Sequence, residues 1–246
     1  MAKKVRATKG KGPAAGKAVP PAEGTLEDHP RPSVAVDTAV LTVLPPGLTG
    51  RGDGHGELAV LQVRRAGGRK QPKWSLPGTL LLGAELLSQA VARSLREEAG
   101  LDDGIVPRQV RVFDALDRDT RGRVLSVAHR VWAPYARLAP LVAASGGGLR
   151  LAPVDEVGPM PSDRAEVVAA AVEQGRAEYA GAADPGRLLP ESFTLHELWV
   201  VHDAVAGHRG SGEDAFRLRA VRLLEPSPEP PRRLDVGRPA RLYRRR

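Results

Sequence analysis

"LPGTLLLGAELLSQAVARSLREEAGL", residues 76–101, is the stretch whose reading decides the fold. Within it Ala90, Val91, Leu95 and Ala99 recur at three- and four-residue spacing, which places them on one apolar face of a helix beginning near Leu86. Gly100 is a natural C-terminal stop. Ser94, Glu97 and Glu98 also share a face, and this spacing predicts that they stand together on the helix's exposed side. Adjacent carboxylates are hard oxygen ligands suited to Mg²⁺, which retains waters and accepts substrate phosphates. Such an ion polarises a phosphoryl oxygen and generates hydroxide. Taken alone, the Glu97–Glu98 pair reads as two ordinary surface acids.

Outward from the helix the texture alternates between strand and helix. "SVAVDTAVLTVLPP" (33–46) and "ELAVLQVRR" (57–65) read as two strands joined by the Gly-rich hairpin loop "GLTGRGDGHG". "RQVRVFDALDRD" and "RVLSVAHRVWAP" read as two more, joined across "DTRGR". A helix is expected over about 162–180 with Ser162 as its N-cap. "GAADPGRLL" breaks the pattern and is taken as a domain boundary. The chain has no cysteine, which excludes disulfides and thiolate metal sites. No apolar run approaches the ~18 residues of a membrane span and no signal-peptide core is seen, so a cytoplasmic protein is expected. The 246-residue length suits one ordinary domain and a smaller second one.

Charge divides the chain further. Residues 34–187 are nearly neutral, with nineteen Lys/Arg against eighteen acids, whereas 209–246 carries eleven against five. A basic end is the electrostatic footprint of a nucleic-acid contact. The N-terminal 1–32 is also basic, lacks large apolar residues and reads as a disordered tail.

With Thr79 at the opening glycine, Glu85, Arg93, Ser94, Leu95, Glu97, Glu98, Gly100 and Leu101 fall on the spacing G-x5-E-x7-R-E-U-x-E-E-x-G-U. The stretch resembles the Nudix box, matching seven of nine fixed positions, and "WSLPG" (74–78) looks like the family's lead-in. Ser94 stands where the family has an acid of its catalytic cation site, and Thr79 replaces a glycine. The resemblance therefore implies a degenerate box: Glu97 and Glu98 remain as catalytic and metal residues for a weakly held Mg²⁺, and efficient hydrolysis is lost. "DALDRDTRGRVLSVAHRVWAP" (114–134) is similar to a segment of ADP-ribose-type members and the regulators derived from them. Arg118, Arg121 and Arg123 there, with Glu85 and Arg93, are the ligand-binding residues it implies; planar guanidinium forks suit phosphates.

Residues 188–246 do not continue that domain. Thr194 and Glu197 form a capping-box pattern before a helix Leu195–Ala206 with the apolar stripe Leu195, Leu198, Val201 and Val205. A second helix is expected from about Glu213 to Leu224, with Phe216, Ala220 and Leu223/Leu224 inward and Arg217, Arg219 and Arg222 around the rest. A Pro/Arg-rich extended pair with Arg238 and Arg241 follows. The pattern is a winged helix-turn-helix, its second helix entering the major groove and its wing touching phosphates. "LLPESFTLHEL", "AFRLR" and "GRPARLYR" resemble segments of the Nudix-related transcriptional regulators of NAD-metabolism and sugar-use genes. "HELWVVH" (196–202) is no zinc motif, because its histidines are six apart rather than four.

The expectation is an α/β protein: a Nudix α/β/α sandwich with a mixed sheet over 33–182 and a winged helix-turn-helix over 188–246. The resemblance implies a homodimeric regulator that binds operator DNA and senses ADP-ribose or a related nucleotide or sugar. The alternative is a Mg²⁺-dependent hydrolase of ADP-ribose-type nucleoside diphosphates.

Overall fold

The computed structural model describes residues 31–48, 54–65, 73–102, 104–208, 212–233 and 238–246. The basic tail, apart from its last two residues, and the centre of the Gly-rich hairpin loop lie outside the described residues.

β1 (Ser33–Leu44) is the central strand of a mixed sheet. It runs parallel to β6 (Val124–Trp132) along its length, and antiparallel to β2 (Glu57–Arg65) at its far end. Two three-residue strands that the sequence pattern does not separate, β3 (Lys73–Ser75) and β4 (Gly78–Leu80), pair with β2 and β1. β5 (Arg108–Phe113) pairs antiparallel with β6, as the "DTRGR" connection implies. β7 (Leu149–Pro153) adds to β2.

β1 is apolar on both faces because both are covered. Val36 and Val40 meet Val91, Leu95 and Leu138 on one side, while Ala39, Leu41 and Val43 meet Val167, Ala171 and Val172 on the other. The first layer is α1 (Leu87–Ala99) with α2 (Tyr135–Ala144); the second is α3 (Arg164–Gly181). Ala90, Val91, Leu95 and Ala99 are buried, as their spacing requires, and Gly100 ends α1 in the left-handed conformation. Two details differ from expectation. α2 escapes the pattern because it contains Pro140 and has no side-chain cap. Ser162 is not the cap of α3: it is left-handed (φ 61°), and its hydroxyl donates to the Arg118 carbonyl at 2.6 Å while Asp163 takes the cap position.

The 188–246 segment packs onto the second layer. α4 (Leu195–Ala206) opens with the expected box: Thr194 Oγ1 accepts from Glu197 N at 3.1 Å, and the Glu197 carboxylate accepts from Thr194 N at 2.7 Å. Val201, Ala204 and Val205 join the core formed by β1, β2 and α3. Leu198, Phe193, Phe216, Ala220 and Leu224 make a smaller core of their own. α5 (Glu213–Ala220) is shorter than expected; the chain tightens into a 3-10 turn at Val221–Leu223 and then enters β8 (Leu224–Pro226), which pairs with β9 (Tyr243–Arg245). Leu224 is therefore buried, but Leu223 is 44% exposed rather than inward. Among the described residues, no helix is long and apolar enough to cross a membrane.

Candidate functional site

The helix α1 presents its acids differently from a shared cation face. Ser94 is buried, and its hydroxyl donates to the Val91 carbonyl at 3.0 Å. This corrects the expectation that it stands exposed beside the two glutamates. Glu98 turns toward the sheet, where both carboxylate oxygens accept from the Arg65 guanidinium at 2.6 and 2.8 Å. One of them also accepts from the Gly78 amide at 3.0 Å. Only glycine fits at 78, because a Cβ there would lie 2.5 Å from the Val36 carbonyl oxygen and 2.7 Å from Asp37 Oδ1. Glu97 projects into solvent, with the Arg93 guanidinium 3.9 Å away.

Glu85 and Arg93 are brought together, but with each other. Arg93 donates twice to the Glu85 carboxylate at 2.8 Å and reaches the Leu80 carbonyl and Thr79 Oγ1. The pair staples the 79–86 loop to α1. The bonded guanidinium holds the Glu85 carboxyl down at about 2. Thr79 lies within β4 opposite Val36, an extended position that a β-branched residue favours. Replacing the family's glycine there imposes no left-handed strain.

The arginines of 114–134 separate into three roles. Arg118 is buried between acids, donating to Asp163 at 2.9 and 3.0 Å and to Asp37 at 3.1 Å. Arg121 is exposed and chelates Asp119, whose carboxyl it holds well below the usual range. Arg123 turns away and ties the hairpin by donating to the Asp114 and Ala115 carbonyls. Two arginines that the sequence pattern did not single out, Arg65 and Arg164, join Arg118 and Arg121 around a cleft of about 450 Å³ that Asp119 and Glu98 also line. A single acid inside the apolar strand "SVAVDTAVLTVL" was the signal available for this network. Asp37 accepts from Ser126 at 2.6 Å and lies 2.9 Å from Arg164 as well as pairing with Arg118.

A divalent cation does not fit these residues as they stand. The serine hydroxyl donates to a backbone carbonyl, and both Glu98 oxygens are taken up by the Arg65 guanidinium. The cleft is lined instead by four arginines, each ion-paired with Glu98, Asp37, Asp163 or Asp119; guanidinium groups suit anionic oxygens.

At the other end of the chain, α5 exposes Arg217, Leu218 and Arg219, and Arg222 follows in the 3-10 turn. Arg217 pairs with Glu213 at 2.8 Å and Leu218 is 77% exposed. Arg238 and Arg241 are exposed on the segment leading to β9, Arg241 lying over the Tyr243 ring. His196 contacts Glu213 while the half-buried His202 lies against the Ala183 carbonyl, so the two share no ligand site. Burial pushes His202 below its ordinary pKa.

A three-layer α/β sandwich built on a mixed sheet, with a C-terminal helical region and a small second sheet, is the architecture of the chain. The NUDIX domain model matches residues 49–171, half of the chain, and the protein belongs to that family. Hydrolases of the family use divalent metals. The crystal structure of Shewanella oneidensis NrtR complexed with a 27mer DNA is similar at 26% identity and TM-score 0.68, over 87% of this chain and 93% of that one. A second crystal structure of Shewanella oneidensis NrtR matches at 25% identity and TM-score 0.67, over 87% and 94%. A MutT/nudix family protein from Enterococcus faecalis shares the fold at 18% identity and TM-score 0.63, over 91% and 90%. Comparison with curated proteins gives no match.

Proposed function

We propose that the protein is a DNA-binding regulator whose Nudix domain binds ADP-ribose or a related nucleoside diphosphate without efficiently hydrolysing it. One observation carries the sensing half: the box spends Glu98 on Arg65 and turns Ser94 inward, leaving a cleft of guanidinium donors rather than a cation centre. The DNA-binding half is supported by the similarity to NrtR, which was crystallised with DNA and is matched through the C-terminal region. Acting as a homodimer, the protein would place two α5 helices on a two-fold operator, and ligand would act through its difference in affinity between DNA-competent and released placements.

The test is fluorescence anisotropy on the promoter fragment beside the protein's own gene. Binding is expected to weaken steeply with salt and to be reversed by ADP-ribose in the presence of a chelator, with the ligand recovered intact. Release that requires Mg²⁺ and yields AMP would support the hydrolase instead. A second expectation concerns the box. Ser94→Glu alone should leave Mg²⁺-dependent AMP release at the wild-type level, because Arg65 still holds both Glu98 oxygens. Ser94→Glu with Arg65→Ala frees that carboxylate, and turnover is expected to rise at least about tenfold, since a bound cation stabilises the transition state by several kcal/mol.

A further inference from the structure

We propose that His55, Asp203 and His208 form a binding site for a divalent transition-metal ion of the Zn²⁺ class, joining the entry of β2 to the end of α4. Asp203 Oδ2 lies 3.0 Å from His55 Nδ1 and 2.7 Å from His208 Nδ1. One ligand atom from each of the three residues falls within 4.8 Å of the others. An ion with bonds of about 2.0–2.1 Å to nitrogen and oxygen holds tetrahedral ligand atoms roughly 3.3 Å apart, so both imidazoles already stand within tenths of an ångström of that spacing from Asp203. Without cysteine in the chain, imidazole and carboxylate are the ligands available to such an ion.

The fold builds this meeting point from separate segments. α4 ends in a Schellman motif: Gly207 is left-handed, its amide donates to the Ala204 carbonyl, and the His208 amide donates to the Asp203 carbonyl. That motif brings the side chains at the first and last of its positions together, usually as an apolar contact. Here the two are Asp203 and His208, an acid and an imidazole. His208 itself is held at φ 58°, a conformation few non-glycine residues adopt. His55 arrives from the other side because Gly56 lets the backbone close on α4; a Cβ there would lie 2.9 Å from both Val200 and Val43.

The surroundings suit a partly open centre. Asp203 is buried and the His55 side chain is 45% exposed, leaving a position for water. Trp199 packs beside the His55 ring with centroids 5.5 Å apart and shields one flank. The C-terminal end of a helix favours a cation. Arg176, which donates to the Val205 carbonyl, is a positive group on the α3 side. The site is separate from the box and from α5, so it stands or falls independently of the sensing reading.

Zinc titration of the chelator-stripped full chain, followed by calorimetry, tests the proposal. One ion per chain is expected, together with a raised Tm. His55→Gln and His208→Ala should each weaken binding at least about tenfold, as even outer-shell losses cost about 10–100-fold. The metal-free melting temperature of His55→Gln should match that of the wild type, separating ligand loss from misfolding. Co²⁺ should give a low-coordinate d–d spectrum that the variants lack. Absence of zinc binding by the wild type, or binding by both variants as tight as that of the wild type, overturns the proposal.

Discussion

Replacing Asp37 by alanine is expected to lower the unfolding free energy by about 3–5 kcal/mol, the range for removing one partner of a buried ion pair. Asp37 is 1% exposed and the Arg118 side chain 4%. Neither charge has water to fall back on. Removing the carboxylate takes a partner from Arg118, from Arg164 and from the buried Ser126 hydroxyl together. Asp163 keeps two bonds to Arg118, which argues for the lower half of that range. In a chain of this size the loss corresponds to a fall in Tm of roughly 10 °C. Differential scanning calorimetry of Asp37→Ala beside Asp37→Asn measures it. Asparagine keeps the volume and an acceptor for Ser126, so it should fall between alanine and wild type. Alanine and asparagine variants melting together with the wild type would show that the network contributes nothing to stability.

That network also marks the limit of what the sequence revealed. The α1 face was legible because helical periodicity is local: Ala90, Val91, Leu95 and Ala99 announce their burial by spacing alone. The same spacing misplaced Ser94, because a residue one step around the helix from the glutamates already touches the core boundary. Arg65 and Glu98 are 33 residues apart and meet only through the sheet. No spacing rule connects them. Arg118 and Arg121 were found through the resemblance, but their division into a buried strut and an exposed cleft residue depends on Asp37 and Asp163, which arrive from β1 and the start of α3. β3 and β4 were missed because three-residue strands exist by pairing with neighbours. The early end of α5 has the same origin: Leu224 is drawn into β8 by its pairing with Arg245.

Arg217→Ala combined with Arg222→Ala is expected to weaken binding to the operator at least about tenfold, given the ~1–3 kcal/mol of discrimination that a well-placed base contact supplies. Phe216 and Ala220 anchor α5 in the small C-terminal core, so its opposite face is the exposed one. The two arginines lie on that exposed side, and their removal leaves the buried packing intact. The double variant should therefore melt with the wild type. Arg217 already shares its guanidinium with Glu213 at 2.8 Å. Glu213→Gln releases it and removes a like charge to phosphate, so that variant should bind more tightly, the opposite sign from a general loss of helix structure. The salt dependence separates arginines that meet phosphate from those that meet base edges. Removing one arginine–phosphate pair lowers the slope of log affinity against log salt by about 0.9, whereas removing a hydrogen bond to a base edge lowers preference for the operator over unrelated duplex. Arg238→Ala and Arg241→Ala, on the segment before β9, are expected to change the slope without changing preference. If the α5 double variant alters neither affinity nor slope, α5 is not the helix that enters the groove.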